Sequence, residues 1–187
     1  MNNYIEWFKK NKITEVECLI PDNSGIPRGK ILPTKKFLSS FESGGLRLPL
    51  HLFKLAVSRS VSYSIDDQLL NPTDGDFILK PDFNTLRVVP WYEEPTAQII
   101  CDAVDSKENE IEVYSRGILK RVINLFNDIG LEPIIAPEIE FYLVKKNNDP
   151  DYPLETPSGQ SGRIEKGNQS YGIDAINEFD HIFEDLY

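Results

Sequence analysis

The spacing of apolar residues predicts a small mixed sheet in the N-terminal part of the chain. Apolar and polar positions alternate there, which is the pattern of half-buried strands. The turn-forming run Asp22-Asn23-Ser24-Gly25 joins the first two strands as a hairpin. The predicted strands cover residues 13–20, 26–32, 77–80, 85–91 and 96–104.

Two helices accompany this sheet in the predicted pattern. The first is short and lies near residues 4–10, with its aromatic residues on one side. The second starts at Thr34 as an N-cap, carries Phe37, Leu38 and Phe41, and stops at Gly44-Gly45. Residues 46–75 show no clean period, and most of that stretch is predicted to be a loop.

The pattern changes after the polar run 105–110, which is the predicted linker between two domains. A helix ending at Gly130 follows, then a strand over 132–145, a long loop over 146–170 and a helix capped by Asp174. These elements are too few to enclose a core of their own, so the chain looks like the beginning of a larger protein. The apolar residues predicted to face inward are Ile118, Leu119, Val122, Ile123, Phe126 and Ile129 on the first helix, and Phe179, Ile182, Phe183 and Leu186 on the second.

The predicted strand Pro137–Val144 contains two carboxylates in an apolar run. Residues two apart in a strand share a face, so Glu138 and Glu140 project side by side. Burying ionised carboxylates without a partner is costly, and the pair therefore indicates a bound cation. The alternative is a half-exposed strand with one wet face and no ligand, because Tyr142 and Val144 continue the same face.

Composition and charge narrow the class of protein. The 187 residues carry a formal net charge of −10, which argues against general binding to nucleic acid or to anionic membranes. No apolar run is long enough to span a bilayer, and the N-terminus does not resemble a secretory signal, so we expect a cytoplasmic protein. Cys18 and Cys101 lack metal-ligand spacing; buried free thiols are the preferred interpretation, and a disulfide stays open.

Several segments in order resemble the glutamine synthetase family. The resemblance covers roughly residues 13–187 and is closest to the branch of γ-glutamylpolyamine synthetases. The segments are Glu138-Ile139-Glu140-Phe141-Tyr142-Leu143, the hairpin from Asp22 to Lys30, Asp74-Gly75-Asp76 with Pro81 to Leu86 and Pro90-Trp91, Cys101-Asp102 followed by Arg116, and Gln169-Ser170-Tyr171.

This resemblance implies an α+β protein with a β-grasp domain over residues 1–105 and the incomplete beginning of a catalytic α/β domain over 106–187. It further implies an ATP-dependent ligase of nitrogen metabolism and glutamine biosynthesis. Such enzymes join glutamate to ammonia or an amine through a γ-glutamyl phosphate, use Mg²⁺ or Mn²⁺, and form ring-shaped homo-oligomers.

The site residues follow from the same resemblance. Glu138 corresponds to the ligand of the metal on the ATP side, and Glu140 to the ligand of the metal near glutamate. Tyr171 aligns with an aromatic residue near the amine pocket, although packing on a sheet edge explains it equally well. The cations Arg28 and Lys30 suit phosphate, but are expected to be solvated or at a subunit contact; His51 and His181 match no family ligand.

The chain also departs from the family pattern. The other metal ligands of the family lie beyond the matched stretch, so we expect the chain to be inactive alone. Ala56 stands near the position of an acidic amine-site residue, which Asp66 or Asp67 would have to replace. Two other functions compete: a non-enzymatic β-grasp interaction module, and a glycosidase whose carboxylates lie about 7 Å apart, within the inverting range, but without an aromatic sugar platform.

Overall fold

A computed structural model describes residues 2–40, 43–54, 75–149 and 151–186. The chain divides into two compact units, Met1–Pro133 (unit 1) and Ile134–Tyr187 (unit 2). The predicted domain boundary at 105–106 is a different division, and it stays a prediction. Ala56, Asp66 and Asp67 lie outside the described residues.

Unit 1 is built on a six-stranded mixed sheet flanked by helices. The elements of unit 1 are α1 (Asn2–Lys10), β1 (Glu15–Pro21), β2 (Pro27–Pro33), α2 (Thr34–Ser40), β3 (Leu46–Pro49), a 3-10 helix (Leu50–Lys54), β4 (Asp76–Pro81), a 3-10 helix (Phe83–Thr85), β5 (Arg87–Val88), β6 (Thr96–Val104) and α3 (Ser115–Asp128). The central strands β1 and β6 pair in parallel, with Cys18 opposite Ile99, and every other pairing is antiparallel. The strand order is β2-β1-β6-β4-β3, and β5 also pairs with β6.

Most of the predicted strands are present with nearly the predicted bounds. The exception in unit 1 is 85–91, where the structure has only the short strand β5 after a 3-10 turn. The Asp82 side chain accepts a hydrogen bond from the Asn84 backbone N–H there, at 3.1 Å. This local bond favours a capped turn over a continuous strand.

The core lies on one face of the sheet, where the alternating residues of β1 and β6 are buried. Phe8 of α1 and Phe37 of α2 cover this face, with ring centroids 5.7 Å apart. Cys18 and Cys101 lie among these core residues as free, fully buried thiols. Hydrogen bonding to the Cys18 thiol, together with burial, raises the pKa of Cys101. The preferred interpretation of two buried thiols is confirmed.

Thr34 does not cap α2 as predicted. Its hydroxyl instead donates to the Ile13 carbonyl at 2.8 Å, and its backbone N–H donates to the Thr14 carbonyl at 2.9 Å. These bonds attach the start of α2 to the segment that joins α1 to β1. A polar side chain near a helix start thus served a long-range contact rather than the local cap that sequence alone suggests.

The start of α3 is fastened to the sheet. Tyr114, which precedes the helix, is fully buried and packs near Phe53 with ring centroids 5.8 Å apart. Arg116 donates from Nε to Asp102 at 2.9 Å and from Nη2 to Asp82, and Lys120 donates to Asp102. The helix therefore belongs to unit 1 by its packing.

The predicted inward stripe of α3 is largely exposed. Ile118, Leu119 and Val122 are each between 43% and 50% exposed, and Ile129 is 70% exposed. Helical periodicity identifies an apolar face, but it does not say whether a neighbouring element covers that face. The predicted end of the helix is confirmed: Gly130 has φ +75°, and the Leu131 N–H donates to the Phe126 carbonyl at 3.0 Å, which is a Schellman-type cap.

Unit 2 contains little regular structure among its described residues. Its helices are α4 (Ile173–Asn177) and α5 (Asp180–Glu184), where the sequence predicted one helix capped by Asp174. The break falls at Phe179, which is buried, while Leu186 is 62% exposed and does not face inward. Across the described part of the chain, none of the helices has the length and apolar character needed to cross a bilayer.

Candidate functional site

The segment that carries Glu138 and Glu140 is not a strand in this structure. Residues 131–147 have no assigned helix, turn or strand, and both carboxylates are exposed. Ile139 is 84% and Tyr142 is 95% exposed, so the apolar residues around the pair are not buried either. A single strand needs a hydrogen-bonded neighbour, and within the described residues the stretch 132–145 has only one such backbone bond, from the Lys145 N–H to the Glu155 carbonyl at 3.0 Å. The predicted buried strand over 132–145 is therefore wrong for this chain.

The donor chemistry of the pair suits a hard divalent cation. Mg²⁺ and Mn²⁺ bind carboxylate oxygens, which Glu138 and Glu140 supply. In the described residues no three or more histidine, cysteine, aspartate or glutamate side chains are grouped closely enough to hold a metal. Glu138 and Glu140 are thus ligands of the right chemical type, but two ligands are too few for a tight metal site.

A cleft of unit 2 brings together two of the three predicted site residues. The cleft has a volume of about 650 Å³, and Glu140 and Tyr171 both line it. Glu138 is not among the residues of its wall. Aromatic and aliphatic side chains form much of that wall, including Phe141, Leu143, Ile176, Phe179 and Phe183.

Tyr171 is presented to solvent rather than packed on a sheet edge. Its side chain is 99% exposed, and its backbone is left-handed, with φ +59°. The turn that carries it is closed by the Gly172 N–H, which donates to the Gln169 carbonyl at 2.8 Å. The competing interpretation, in which Tyr171 packs against a sheet edge, has no support in this arrangement.

Sequence reasoning missed several residues that shape the clefts of unit 2. Lys166 and Gln169 line both the cleft described above and an adjoining cleft of about 700 Å³. Glu178 also lines the second cleft, and its carboxylate accepts the Ser161 N–H at 2.8 Å. Hydrogen bonds from Ser161, with the nearby Arg163 cation, lower the pKa of Glu178. No apolar period marks these residues, because they lie in the loop and at the helix break.

The other candidate residues line neither of these two clefts; they are Arg28, Lys30, His51 and His181. Arg28 donates to the buried Asp22 carboxylate at 2.9 Å, and Lys30 donates to the Arg47 carbonyl at 2.7 Å. His51 is exposed, and the ring Nδ1 of His181 lies 3.1 Å from Nε2 of Gln160. Neither cation of the hairpin is the free phosphate ligand that its residue type suggests.

Comparison with known proteins supplies the family. The sequence model described as "Glutamine synthetase, catalytic domain" matches residues 112–187. A glutamine synthetase of Methanocaldococcus jannaschii is 32% identical over 152 residues, which are 80% of this chain and 32% of that protein. The chain belongs to the glutamine synthetase family.

Other relatives within the glutamine synthetase family carry different names. Gamma-glutamylputrescine synthetase of Escherichia coli is 26% identical over 190 residues, which cover all of this chain and 39% of that protein. Glutamate–isopropylamine ligase of a Pseudomonas species is 25% identical over 169 residues, covering 90% of this chain and 36% of that protein. The chain thus spans about a third of the length of the curated relatives it matches.

A solved structure supports the fold. The crystal structure of a "novel glutamine synthase homolog" matches with a TM-score of 0.51 at 18% identity. The match covers 63% of this chain and 27% of the solved one. At 18% identity this similarity supports the fold and nothing further. The fold agrees with the predicted α+β class. The β-grasp assignment within that class stays a prediction.

Proposed function

We propose that this chain is the N-terminal portion of an ATP-dependent ligase that joins glutamate to ammonia or an amine through a γ-glutamyl phosphate. The observation that carries the proposal is the catalytic-domain match over residues 112–187, a stretch that contains Glu138, Glu140 and Tyr171. Relatives named as glutamine synthetases and as glutamate–amine ligases support the same class of reaction.

The proposed reaction explains why adjacent carboxylates are needed. The side-chain carboxylate of glutamate takes the terminal phosphoryl group of ATP, and the amine then displaces phosphate from the acyl phosphate. A bound Mg²⁺ or Mn²⁺ would neutralise charge where two anionic substrates meet. Glu138 would hold the cation on the ATP side, and Glu140 the cation near glutamate, each through carboxylate oxygens.

We further propose that residues 1–105 form the β-grasp domain and that 106–187 begin the catalytic domain. The parallel pair of β1 and β6 at the centre of the mixed sheet supports this assignment, as does the position of α2 directly after the β1–β2 hairpin. For the complete protein we propose a cytoplasmic, ring-shaped homo-oligomer, as the family resemblance implies.

The amine side of the proposal rests on Tyr171 and its cleft. Tyr171 lines the same cleft as Glu140, whose wall is largely aromatic and aliphatic. The proposal includes two classes of acceptor, ammonia and a small organic amine. Relatives named for isopropylamine and putrescine support the second class.

We expect the 187-residue chain to be inactive alone, because two carboxylates supply only part of the oxygen ligands that a divalent cation takes. The test incubates the chain with ATP, glutamate, Mg²⁺ and either ammonium or putrescine, and measures amide by mass spectrometry. Amide formed above the no-enzyme control would contradict the expected inactivity.

The metal assignment has its own test in the chain as it exists. Isothermal titration with Mn²⁺ compares the parent chain with the Glu138→Gln/Glu140→Gln variant. The matched control is Glu93→Gln/Glu94→Gln, which removes two exposed charges from unit 1. We expect weak binding that the first variant loses and the control retains. Equal binding by all three proteins would remove Glu138 and Glu140 as ligands.

The alternative function is a non-enzymatic interaction module. The observation that favours it is that the buried core cluster lies wholly in unit 1, whereas the proposed ligands lie in unit 2. The two functions differ in what Glu138→Gln does in a longer protein that contains this chain. A ligase loses at least a hundredfold in kcat/KM, whereas a protein that serves only as a module has no such activity to lose.

A further inference from the structure

The turn between β1 and β2 carries two adjacent polar residues that make different kinds of hydrogen bond. Asp22 is fully buried, and its carboxylate accepts the N–H groups of Ser24 and Ile26, each at 2.9 Å, and pairs with Arg28. Asn23 is exposed, and within the described residues its side chain makes no hydrogen bond inside the turn. Asparagine in a turn commonly bonds nearby backbone, a role that Asp22 fills here. The amide of Asn23 is therefore available for longer-range contacts.

The Asn23 amide bonds two segments that are distant in sequence. Its Nδ2 donates to the Phe53 carbonyl at 3.0 Å and to the Val113 carbonyl at 2.9 Å. Two carbonyl acceptors require the NH2 group of the amide, because the amide oxygen has only lone pairs to offer them. An ionised aspartate has nearly the same shape but no donor. The contact thus depends on asparagine in particular.

The two acceptors lie where the chain enters α3. Val113 stands two residues before this helix and one residue after the start of the catalytic-domain match. Tyr114, between Val113 and the helix, is fully buried, and its ring packs near Phe53 with centroids 5.8 Å apart. Asn23 therefore holds both backbone segments whose aromatic side chains meet, and a displacement of either segment would break one of its two bonds.

A second attachment of α3 lies three residues further along the chain. Arg116 pairs there with Asp82 and Asp102. A helix held at one point can swing about that point, whereas two separate attachments at its start fix its direction as well. The bond at Val113 and the ion pairs of Arg116 are two such attachments, and all of these residues belong to unit 1.

We propose that Asn23 is a positioning residue that fixes the direction in which α3 leaves the sheet, and with it the start of the catalytic half. The consequence of this direction for a reaction rests on the proposed ligase function. The placement of α3 by Asn23 does not, because it follows from contacts within unit 1 alone.

The competing interpretation is that Asn23 only stabilises the hairpin. In that case its loss should first loosen the turn, at the Ile26 amide, which donates to the Asp22 carboxylate. The positioning role instead predicts loosening at the first turn of α3, where the Ile118 N–H donates to the Tyr114 carbonyl at 3.1 Å. The amides of Ile26 and Ile118 therefore report on the two interpretations separately.

Amide exchange in the full chain, read residue by residue by NMR, separates these interpretations. Asn23→Ala should speed exchange at Ile118 by about fivefold, the change in an opening equilibrium that one net hydrogen bond gives, and should leave Ile26 unchanged. Asn23→Asp should have a larger effect, because its carboxylate would face two carbonyl oxygens. Asn23→Gln keeps both donors on a longer side chain and should recover part of the protection.

The matched control is Asn84→Ala, at another exposed asparagine of unit 1, and it should change neither amide. Equal acceleration at Ile26 and Ile118 would assign Asn23 to the turn alone and overturn the proposal. Unchanged exchange at Ile118 in Asn23→Asp would overturn it as well.

A distance measurement tests the direction of α3 itself. Spin labels on Asp128→Cys, at the end of α3, and Lys36→Cys, on an exposed position of α2, are read by pulsed electron paramagnetic resonance. The native cysteines are fully buried. Because a helix of 14 residues is about 21 Å long, a tilt of about 10° moves its end by about 4 Å.

The distance distribution between the two labels should therefore broaden in Asn23→Asp and stay as in the parent in Asn84→Ala. Identical distributions in the parent and in Asn23→Asp would contradict the positioning role. Neither the exchange nor the distance measurement requires ligase activity, so a failure here is distinct from a failure of the proposed function, which has its own assay.

Discussion

Unit 1 and unit 2 differ in how their side chains are supported. The residues of the hydrophobic core cluster all lie between Phe8 and Tyr114, in unit 1. In the described part of unit 2, Phe179 is the only buried residue, and the strand-like contact is a single bridge between Ser158 and Ile164. The proposed chemical groups, Glu138, Glu140 and Tyr171, are thus in the unit with less packing. A recognisable motif therefore does not imply a preorganised site.

The largest expected change in the free energy of unfolding comes from a comparison that replaces one tyrosine in each unit. Tyr114 is fully buried in unit 1, and Tyr171 is 99% exposed in unit 2. Tyr114→Ala should lower the free energy of unfolding by about 3–5 kcal/mol, because it leaves a cavity in the core. Tyr171→Ala should change it by less than about 0.5 kcal/mol. Urea unfolding followed by circular dichroism measures both, and equal losses would break the contrast.

A smaller effect distinguishes the ion pairs of the two units. Arg116 pairs with Asp102 and Asp82, and these three side chains are between 12% and 23% exposed. Arg116→Met should cost about 2 kcal/mol, because it leaves the poorly hydrated carboxylate of Asp82 without its cation and Asp102 with Lys120 alone. Lys145 pairs with Glu155 at the surface of unit 2, and Lys145→Met should cost less than about 0.5 kcal/mol. Similar costs in urea unfolding would show that unit 2 is packed as firmly as unit 1.

The smallest expected effect concerns pH and the Asp22 hairpin. Burial raises the pKa of Asp22, but hydrogen bonds from Ile26, Arg28 and Ser24 outweigh it, and the pKa ends below its ordinary value. A lowered pKa in the folded state means that Asp22 stabilises the fold above its unfolded pKa, near 4, and loses this effect as the pH falls through the folded value.

Asp22→Asn should therefore cost about 1 kcal/mol at pH 7 and progressively less below pH 4. Thermal unfolding of the parent and the variant between pH 7 and pH 3 measures this difference. Asp174→Asn, in an exposed part of unit 2, serves as the control. A cost at Asp22 that does not depend on pH would mean that its charge is not responsible.

Sequence alone predicted unit 1 well because its signals are local. Alternation in β1 and β6 places Val16 and Ile99 on one buried face, and the residues 22–25 make the hairpin turn, as expected. What it missed at Thr34 depends on a distant partner, because the hydroxyl bonds the Ile13 carbonyl rather than capping α2. At 85–91 it missed a local bond, in which the Asn84 N–H donates to the Asp82 side chain and a turn replaces most of the predicted strand.

Unit 2 was predicted less well, for the same physical reason. The pattern around Glu138 is that of a buried strand, but burial requires neighbouring elements, and the described residues supply none. The motif itself was nevertheless informative, since the catalytic-domain match spans Glu138, Glu140 and Tyr171. The clustering of Lys166, Gln169 and Glu178 had no sequence signal, because loop geometry brings those residues together.

Hydrogen exchange read by mass spectrometry tests the central contrast most directly. The measurement uses the full chain. We predict strong protection of amides in β1 and β6, since both strands are paired and buried, and rapid exchange over residues 134–147 except at Lys145. Protection over 138–144 equal to that of β6 would contradict the account, because it would show a paired strand around Glu138 and Glu140 in the isolated chain.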